Sequence, residues 1–497
     1  MLLTIEKLIY GGDGLARLPV DSASESGKNS SVPRNKRARH GAPTGTSADD
    51  SSRGKAVFLP FVLEEERVEA VITEQRPGFA RARAASIVEA SSHRVEHACP
   101  YFTGCGGCHY QHSSYEHQLQ IKREILRETL RRVAKVELSC EIEVHASPPW
   151  NYRNRSRLQI RTRPEFTLGY FMGGSQDVLA VEECPISSSL INRGIAAVWM
   201  LGRDGKVPVG VNEIEFFANA EDSGMLVEIH CLAEARRAAI RGFAEELSAV
   251  LPETVGVVGV REDPHHSRAE RAKNGAPGSG NRRSGLGQGP RGAGQTEKIV
   301  SVGEPYLTYR TSKADYRVSA GSFFQTNRFL IDELVRIVAE GRSGELALDL
   351  YSGVGLFSTA LAGDIRHIVS VESSQTSSGD LSYNRTPNTE AVQATTEQYL
   401  ADRANSGRFG KGVVLPHTSY QPDLAVVDPP RSGLGERVTH ELVKLGAPVL
   451  IYVSCDPATL ARDLVPLLAS KYRVERAQLV DLFPQTFHIE SVLELRK

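Results

Sequence analysis

The 497-residue chain lacks several things, and each absence narrows what it can be. It has no run of 18 apolar residues, so no membrane span is expected. Met1–Tyr10 carries Glu6 and Lys7 and no apolar h-region, so a cytoplasmic location is expected and a secretory leader is not. Seven cysteines in so long a chain make no dense disulfide framework, which leaves free thiols, a metal site or catalysis as their uses. The net charge is −1, so nucleic-acid binding has to come from local basic patches and not from the field of the whole molecule. Two phosphate-binding signatures are also missing. Lys298 follows Glu297 where a P-loop needs glycine, and no full G-x-G-x-x-G is present.

What is present reads as three domains. Residues 1–92 carry a Gly11-Gly12-Asp13-Gly14 turn and strand patterns at Ala56–Leu63, Arg67–Thr73 and Phe79–Val88, the makings of a small β-barrel of the kind used for oligonucleotides. Residues 21–54 interrupt it. They are rich in Ser, Gly, Asn and Asp, hold a basic knot at Arg34, Lys36, Arg37 and Arg39, and are expected to be a disordered loop. Residues 93–320 form a mixed α and β middle with a second low-complexity insertion at 264–298. There Ser114–Val133 reads as an amphipathic helix. Tyr115, Leu119, Ile125, Leu126, Leu130 and Val133 make the apolar stripe, with Lys122, Arg123, Arg127, Arg131 and Arg132 on the solvated side or its edges. Residues 321–497 alternate strands and helices, which means a doubly wound sheet.

Cys99, Cys105 and Cys108 are spaced C-x5-C-x2-C with Gly104, Gly106 and Gly107 between them. Glycines let a chain wrap tightly and aim amides at sulfur. Cys184, before Pro185, is the candidate fourth ligand. Four cysteines suit a [4Fe–4S] cluster or structural zinc, and His109 and His112 keep a Cys3His zinc site open. Arg153, Arg155, Arg157, Arg161 and Arg163 all fall at odd positions, so on a strand they share one face. Such a stripe repels itself unless anions neutralise it. The phosphate backbone of RNA or DNA is favoured over a set of paired carboxylates.

The chemistry concentrates at the ends of the late strands. Leu346–Leu350 runs into Tyr351-Ser-Gly353-Val-Gly355, a turn that lets a ligand approach the backbone. Glu372 ends the next strand, where an acidic side chain can accept bonds from ribose hydroxyls. Without a pyrophosphate loop, the adenosyl group of S-adenosylmethionine suits this site better than a dinucleotide. Asp423–Val427 ends in Asp428-Pro429-Pro430-Arg431, a rigid loop that aims Asp428 into the same crevice. Val449–Ser454 ends in Cys455-Asp456-Pro457, and Glu490 precedes a terminal strand through Leu495. A thiol, a carboxylate and a methyl donor in one crevice match methylation at carbon 5 of a pyrimidine. The thiolate attacks carbon 6 and the carboxylate removes the carbon-5 proton. A thiolate is needed, so a depressed Cys455 pKa is expected. His488 is a candidate to orient Glu490, and is equally read as a structural histidine.

These motifs resemble the S-adenosylmethionine-dependent RNA uracil-C5 methyltransferases. The resemblance rests on Phe324-Gln325-Thr326-Asn327, Asp349–Gly355, Val427–Arg431, Ser454–Pro457 and His488-Ile489-Glu490. The cysteine motif and Tyr152-Arg153-Asn154-Arg155 match as well, so nearly all of the chain outside the two insertions is covered. It implies an N-terminal TRAM β-barrel of OB type, a central α+β domain with a [4Fe–4S] cluster on Cys99, Cys105, Cys108 and Cys184, and a C-terminal Rossmann-like methyltransferase domain. It implies Cys455 as nucleophile, Glu490 as base, and Gln325, Tyr351, Glu372 and Asp428 at the donor. The branch with both cluster and TRAM domain acts on 23S ribosomal RNA, which is the expected substrate of an expected monomer; tRNA is the alternative. Ser352 and Leu356 depart from the residues common at their positions, and Thr396 and Glu397 are weak candidates for a further donor contact. A cytosine-C5 enzyme would carry a second cysteine after the proline next to Asp428, and none is there. A non-catalytic ribosome-assembly factor would not need Cys455 and Glu490.

Overall fold

A computed structural model of the chain describes residues 1–18, 54–262, 296–406 and 421–497. The basic knot and nearly all of both insertions lie outside the described residues, while 296–298 open a strand. Two compact units result, one of residues 1–96 with 112–114, the other of residues 97–111 with 115–497. Among the described residues no helix is long and apolar enough to cross a membrane.

The first unit is a six-stranded sheet. Its strands are β1 (Leu2–Thr4), β2 (Lys7–Leu8), β3 (Asp13–Arg17), β4 (Ala56–Pro60), β5 (Arg67–Gln75) and β6 (Phe79–Glu89), in the order β1-β5-β6-β4-β3-β2. Alternate residues of β4 and β5, Val57, Leu59, Val68 and Ala70, turn into one core with Leu3, Ile5 and Ala80. The sheet is compatible with an OB-type domain. Glu66 ties its loops together: its carboxylate accepts Leu63 N at 2.8 Å and Arg94 Nη2 at 2.8 Å.

The second unit holds two sheets and a hairpin. It begins with α1 (Tyr115–Thr129), closed by a π-turn at Leu130–Ala134, and β7 (Ile142–His145). Then come β8 (Arg155–Arg161), β9 (Thr167–Phe171), β10 (Val178–Ala180), α2 (Ser189–Arg203), β11 (Val211–Ala218), β12 (Met225–Cys231), α3 (Arg237–Val250), β13 (Thr254–Glu262) and β14 (Thr296–Gly303). These strands lie in the order β10-β9-β8-β11-β12-β13-β14. The strands β15 (Tyr306–Arg310) and β16 (Asp315–Ser319) pair as a hairpin.

Two expectations fail here, both because periodicity names a face but not what the face meets. Lys122 is not on a solvated side. It is wholly buried against Asp481, while Val133, at the end of the stripe, is 45% exposed. Of the five arginines, Arg155, Arg157 and Arg161 share a face of β8 while Arg153 and Arg163 lie outside the strand, and carboxylates neutralise Arg155 and Arg157. Glu215 on β11 stands directly across from Arg157 on β8, accepts Arg157 Nε at 2.6 Å and also pairs with Arg155. Glu213 lies 3.5 Å from Arg157. Arg153 turns into the wall of the cysteine pocket. Arg157, Arg161 and Arg163 are exposed, while Arg153 and Arg155 are half-buried.

The second sheet is built from β17 (Gly344–Leu350), β18 (Ile365–Glu372), β19 (Thr389–Gln393), β20 (Leu424–Val427), β21 (Val449–Ser454), β22 (Arg473–Val480) and β23 (Glu490–Arg496). Between them run α4 (Ile331–Ala339, ahead of β17), α5 (Leu356–Leu361), α6 (Gln375–Asn384), α7 (Thr396–Ser406), α8 (Gly435–Leu445) and α9 (Pro457–Ala469). The order is β19-β18-β17-β20-β21-β23-β22-β7. Strands β17 to β21 are parallel, and β20 is buried at every residue, as a strand covered by helices on both faces must be. Strand order reverses between β17 and β20, which opens a crevice beyond their carboxyl ends. The outermost strand, β7, comes from the middle of the chain and runs parallel to β22.

Candidate active site and cysteine pocket

On one side of the crevice, β17 ends in a tight turn. Tyr351, Gly353 and Gly355 have φ of 63°, 56° and 94°. Left-handed backbone is costly for tyrosine and is kept where surrounding structure enforces it. A side chain added at Gly353 would meet nothing within 4 Å, so the space beside it is open. Glu372 closes that space from the end of β18. Its Oε2 accepts Gly353 N at 2.9 Å and its Oε1 accepts Ser374 N at 2.7 Å. The Tyr351 hydroxyl bonds Thr396. Glu397 turns outward to Arg437 at 2.7 Å. Asp349 is buried beneath the turn, accepts Ser358 N at 3.0 Å, and burial pushes its carboxyl up to about 7.

On the other side stand Asp428, Gln325, Cys455 and Glu490. Asp428 follows β20, and Gln325 Nε2 donates to its Oδ2 at 3.5 Å. Burial, helped by Asp349, pushes Asp428 up to about 7. Cys455 follows β21 and sits at the start of α9. Asp456 caps that helix through Ala458 N at 3.0 Å and Thr459 N at 2.9 Å, with Pro457 in the first turn. Strands β21 and β23 are antiparallel with Ser454 opposite Ser491, so one step further sets Cys455 against Glu490. Arg431, from the double-proline loop, acts on both charges.

The electrostatics correct one expectation. The Cys455 thiol is not depressed in the free protein: burial raises it, and the carboxylates of Glu490 and Asp428 add to the rise, with Arg431 opposing. Burial also raises Glu490 well above the usual carboxylate range, Asp428 adding and Arg431 opposing. Arg431 Nη2 lies 3.4 Å from both ring nitrogens of His488, which burial keeps neutral between Phe483 and Phe487. In the sequence Arg431 stands out only as the end of the Asp428-Pro429-Pro430-Arg431 motif. Its signal was a cation one loop from three acidic groups.

Cys99, Cys105, Cys108 and Cys184 line a single pocket, together with Arg153 and Tyr170. Burial pushes Cys105 up to about 11, and Cys99 and Cys108 upward too, with the neighbouring Cys184 adding to each. Arg153 Nε is buried with no hydrogen-bond partner among the described residues. His109 packs against the Phe487 ring, centroids 4.7 Å apart. Among the described residues no three His, Cys, Asp or Glu side chains converge tightly enough to grip one metal ion.

A sheet reversing at a glycine turn, with an acid at the next strand end, forms a crevice of the kind that takes an adenosyl group. The model of the tRNA (Uracil-5-)-methyltransferase family matches residues 298–497. An uncharacterized RNA methyltransferase of Streptomyces avermitilis is 31% identical over 466 residues, covering 89% of this chain and 93% of that protein. The 23S rRNA (uracil(1939)-C(5))-methyltransferase RlmD of Pseudomonas fluorescens is 29% identical over 449 residues, 88% of this chain and 89% of that one. The crystal structure of Pyrococcus abyssi tRNA (uracil-54, C5)-methyltransferase with S-adenosyl-L-homocysteine shares the fold across 100% of both chains, with a TM-score of 0.65 and 22% identity. The chain belongs to the RNA (uracil-5-)-methyltransferase family and is an enzyme of that class.

Proposed function

We propose that the enzyme methylates carbon 5 of a uridine through a transient bond between Cys455 Sγ and carbon 6 of the ring. The observation that carries this is the pairing of strand ends that sets Cys455 against Glu490 beside the glycine turn. Carbon 5 of uracil is too weak a nucleophile on its own. Attack by the thiolate at carbon 6 makes an enolate whose carbon 5 forms the new bond to carbon. S-Adenosylmethionine supplies the electrophilic methyl group. Glu490 then takes the carbon-5 proton, the ring double bond re-forms and the carbon–sulfur bond breaks, returning the thiolate. Arg431 and the amino end of α9 are the groups that favour the thiolate and the carboxylate against burial. The target base is unpaired or flipped out, since carbon 6 is inaccessible within a stack.

Glu372 suits the ribose hydroxyls of the donor, with Tyr351, Gln325 and Asp428 lining the rest of the crevice. The open space beside Gly353 fits that assignment. The substrate is 23S ribosomal RNA, supported by the length-wide similarity to an enzyme of that specificity and by an N-terminal sheet compatible with an OB-type domain.

Cys99, Cys105, Cys108 and Cys184 hold a [4Fe–4S] cluster. Four thiols around one pocket, beside the buried Arg153 Nε that has no hydrogen-bond partner among the described residues, fit an anionic cluster.

Cys455→Ala is expected to abolish transfer from labelled donor while RNA binding persists; full activity in that variant refutes the mechanism. Mapping 5-methyluridine in total RNA of a deletion strain tests the substrate. Loss confined to tRNA overturns the ribosomal assignment.

A further inference from the structure

The cysteine pocket is joined to both flanks of the catalytic centre by short backbone links. On one flank, the two residues after Cys108 donate to the same carbonyl, His109 N to Gln485 O at 2.8 Å and Tyr110 N at 3.0 Å. Gln485 is buried and has a φ of 66°. A glutamine of α1 locks the joint. Gln118 Nε2 donates to Tyr110 O and to Gln485 Oε1, each at 3.0 Å, and Gln118 Oε1 accepts Gln485 N at 3.0 Å. The loop held this way runs directly on to His488, Ile489 and Glu490.

On the other flank, the residues after Cys184 pair with the segment that carries Arg153. Asn151 N donates to Pro185 O at 3.0 Å and Arg153 N to Ile186 O at 2.9 Å. The same segment is bonded on its other edge to the residues after Gln325. Asn154 N donates to Thr326 O at 3.1 Å and Arg328 N to Tyr152 O at 3.0 Å. Each link is a single peptide layer thick.

We propose that the four-cysteine pocket is a positioning device for methyl transfer, setting Glu490 through the Gln118–Gln485 joint and Gln325 through Tyr152–Asn154. This deepens the reading above, and rests on Cys455, Glu490 and Gln325 being the site and on the pocket holding its cluster. The physical reason is local. The segment Asp481–Ile489 has no regular structure of its own, so its buried backbone groups need partners from elsewhere. The left-handed backbone at Gln485 persists only where the surroundings over-determine it. At Gln485 both needs are met by the loop that carries Cys105 and Cys108, together with Gln118, while Lys122 and Tyr152 bond the carbonyls of Phe483 and Pro484. Tying four thiolates to one cluster fixes that loop and the Cys184 loop relative to each other, and with them the two flanks. Gln118 and Gln485 are positioning residues. Coupling of this kind is reciprocal, so ligands that order the catalytic centre also slow loss of the cluster.

The test is Gln118→Leu, which removes the three bonds and keeps the position filled. Iron and sulfide are expected at wild-type content, and KM for RNA and donor within about twofold. The kcat is expected to fall by roughly tenfold to a hundredfold, the cost of a misplaced catalytic group. Amide exchange is expected to quicken over 485–490 and not over 322–328. Wild-type kcat and wild-type exchange in this variant overturn the proposal. Should Gln118→Leu not fold, the wild-type holoenzyme decides: anaerobic removal of iron with a chelator is expected to quicken exchange in both 322–328 and 483–490, and unchanged exchange overturns it. S-Adenosylhomocysteine with substrate RNA is expected to slow that iron release; an unaltered rate counts against coupling. Wild-type protein without iron, or active Cys455→Ala, overturns the underlying reading instead and is measured first.

Discussion

Lys122 Nζ lies 2.6 Å from Asp481 Oδ1, and both side chains are wholly buried. The ammonium also donates to Phe483 O at 2.9 Å, and the Tyr115 hydroxyl donates to Asp481 Oδ2 at 2.9 Å. Burial lowers the Lys122 pKa, and Asp481 is what holds the charge in place against it. The pair pins α1 to the segment that leads into Glu490.

Removing one partner leaves the other charge stranded. Lys122→Met is expected to cost roughly 3–5 kcal/mol of stability, and Lys122→Met with Asp481→Leu much less, because no unpaired charge then remains. Urea unfolding of both variants checks this. A single variant as stable as wild type would show the pair to be unimportant.

Asp349 links stability to pH. Its folded pKa is raised by burial from the ordinary 3.8 to about 7, so the folded enzyme keeps a proton that the unfolded chain releases. Stability therefore falls as pH rises between roughly 4 and 7. Asp349→Asn is expected to flatten that slope and to gain roughly 2–4 kcal/mol at pH 8. Asp428, raised in the same direction, leaves part of the slope in place. Unfolding curves from pH 5 to 8 that stay parallel for variant and wild type would contradict this.

Glu490→Gln removes the base that completes the reaction. Attack and methyl transfer still proceed, but the carbon–sulfur bond has no route to break. A methylated RNA–protein adduct is expected to accumulate and to survive a denaturing gel. No slower band, with turnover intact, would rule out Glu490. Its raised pKa adds a second expectation. The acid limb of the wild-type rate profile lies above the ordinary carboxylate range, with kcat lost as pH drops through it.

Protein purified without oxygen is expected to be brown and to contain iron and sulfide at about four equivalents each. Stoichiometric zinc without iron would remove the cluster.

Much of this protein was legible along the chain. The apolar runs at Leu346–Leu350, Asp423–Val427 and Val449–Ser454, each ending in Gly, Asp-Pro or Cys-Asp-Pro, marked parallel strands and the crevice at their ends, because buried strands and their turns are written in local residue types. The spacing of Cys99, Cys105 and Cys108 was visible in the same way. What the fold decided was who meets whom. Glu490 faces Cys455 only because β23 inserts between β21 and β22. Arg155 and Arg157 look like a phosphate stripe until β11 brings Glu215 across from Arg157 and within reach of Arg155. Lys122 looks solvated until Asp481 arrives from the far end of the chain. The direction of the Cys455 pKa likewise follows from burial and from Glu490, Asp428 and Arg431, brought in by two other chain segments. Local sequence determines which side of an element is polar or apolar. Long-range pairing determines the charges and cavities each side confronts, and no periodicity encodes that.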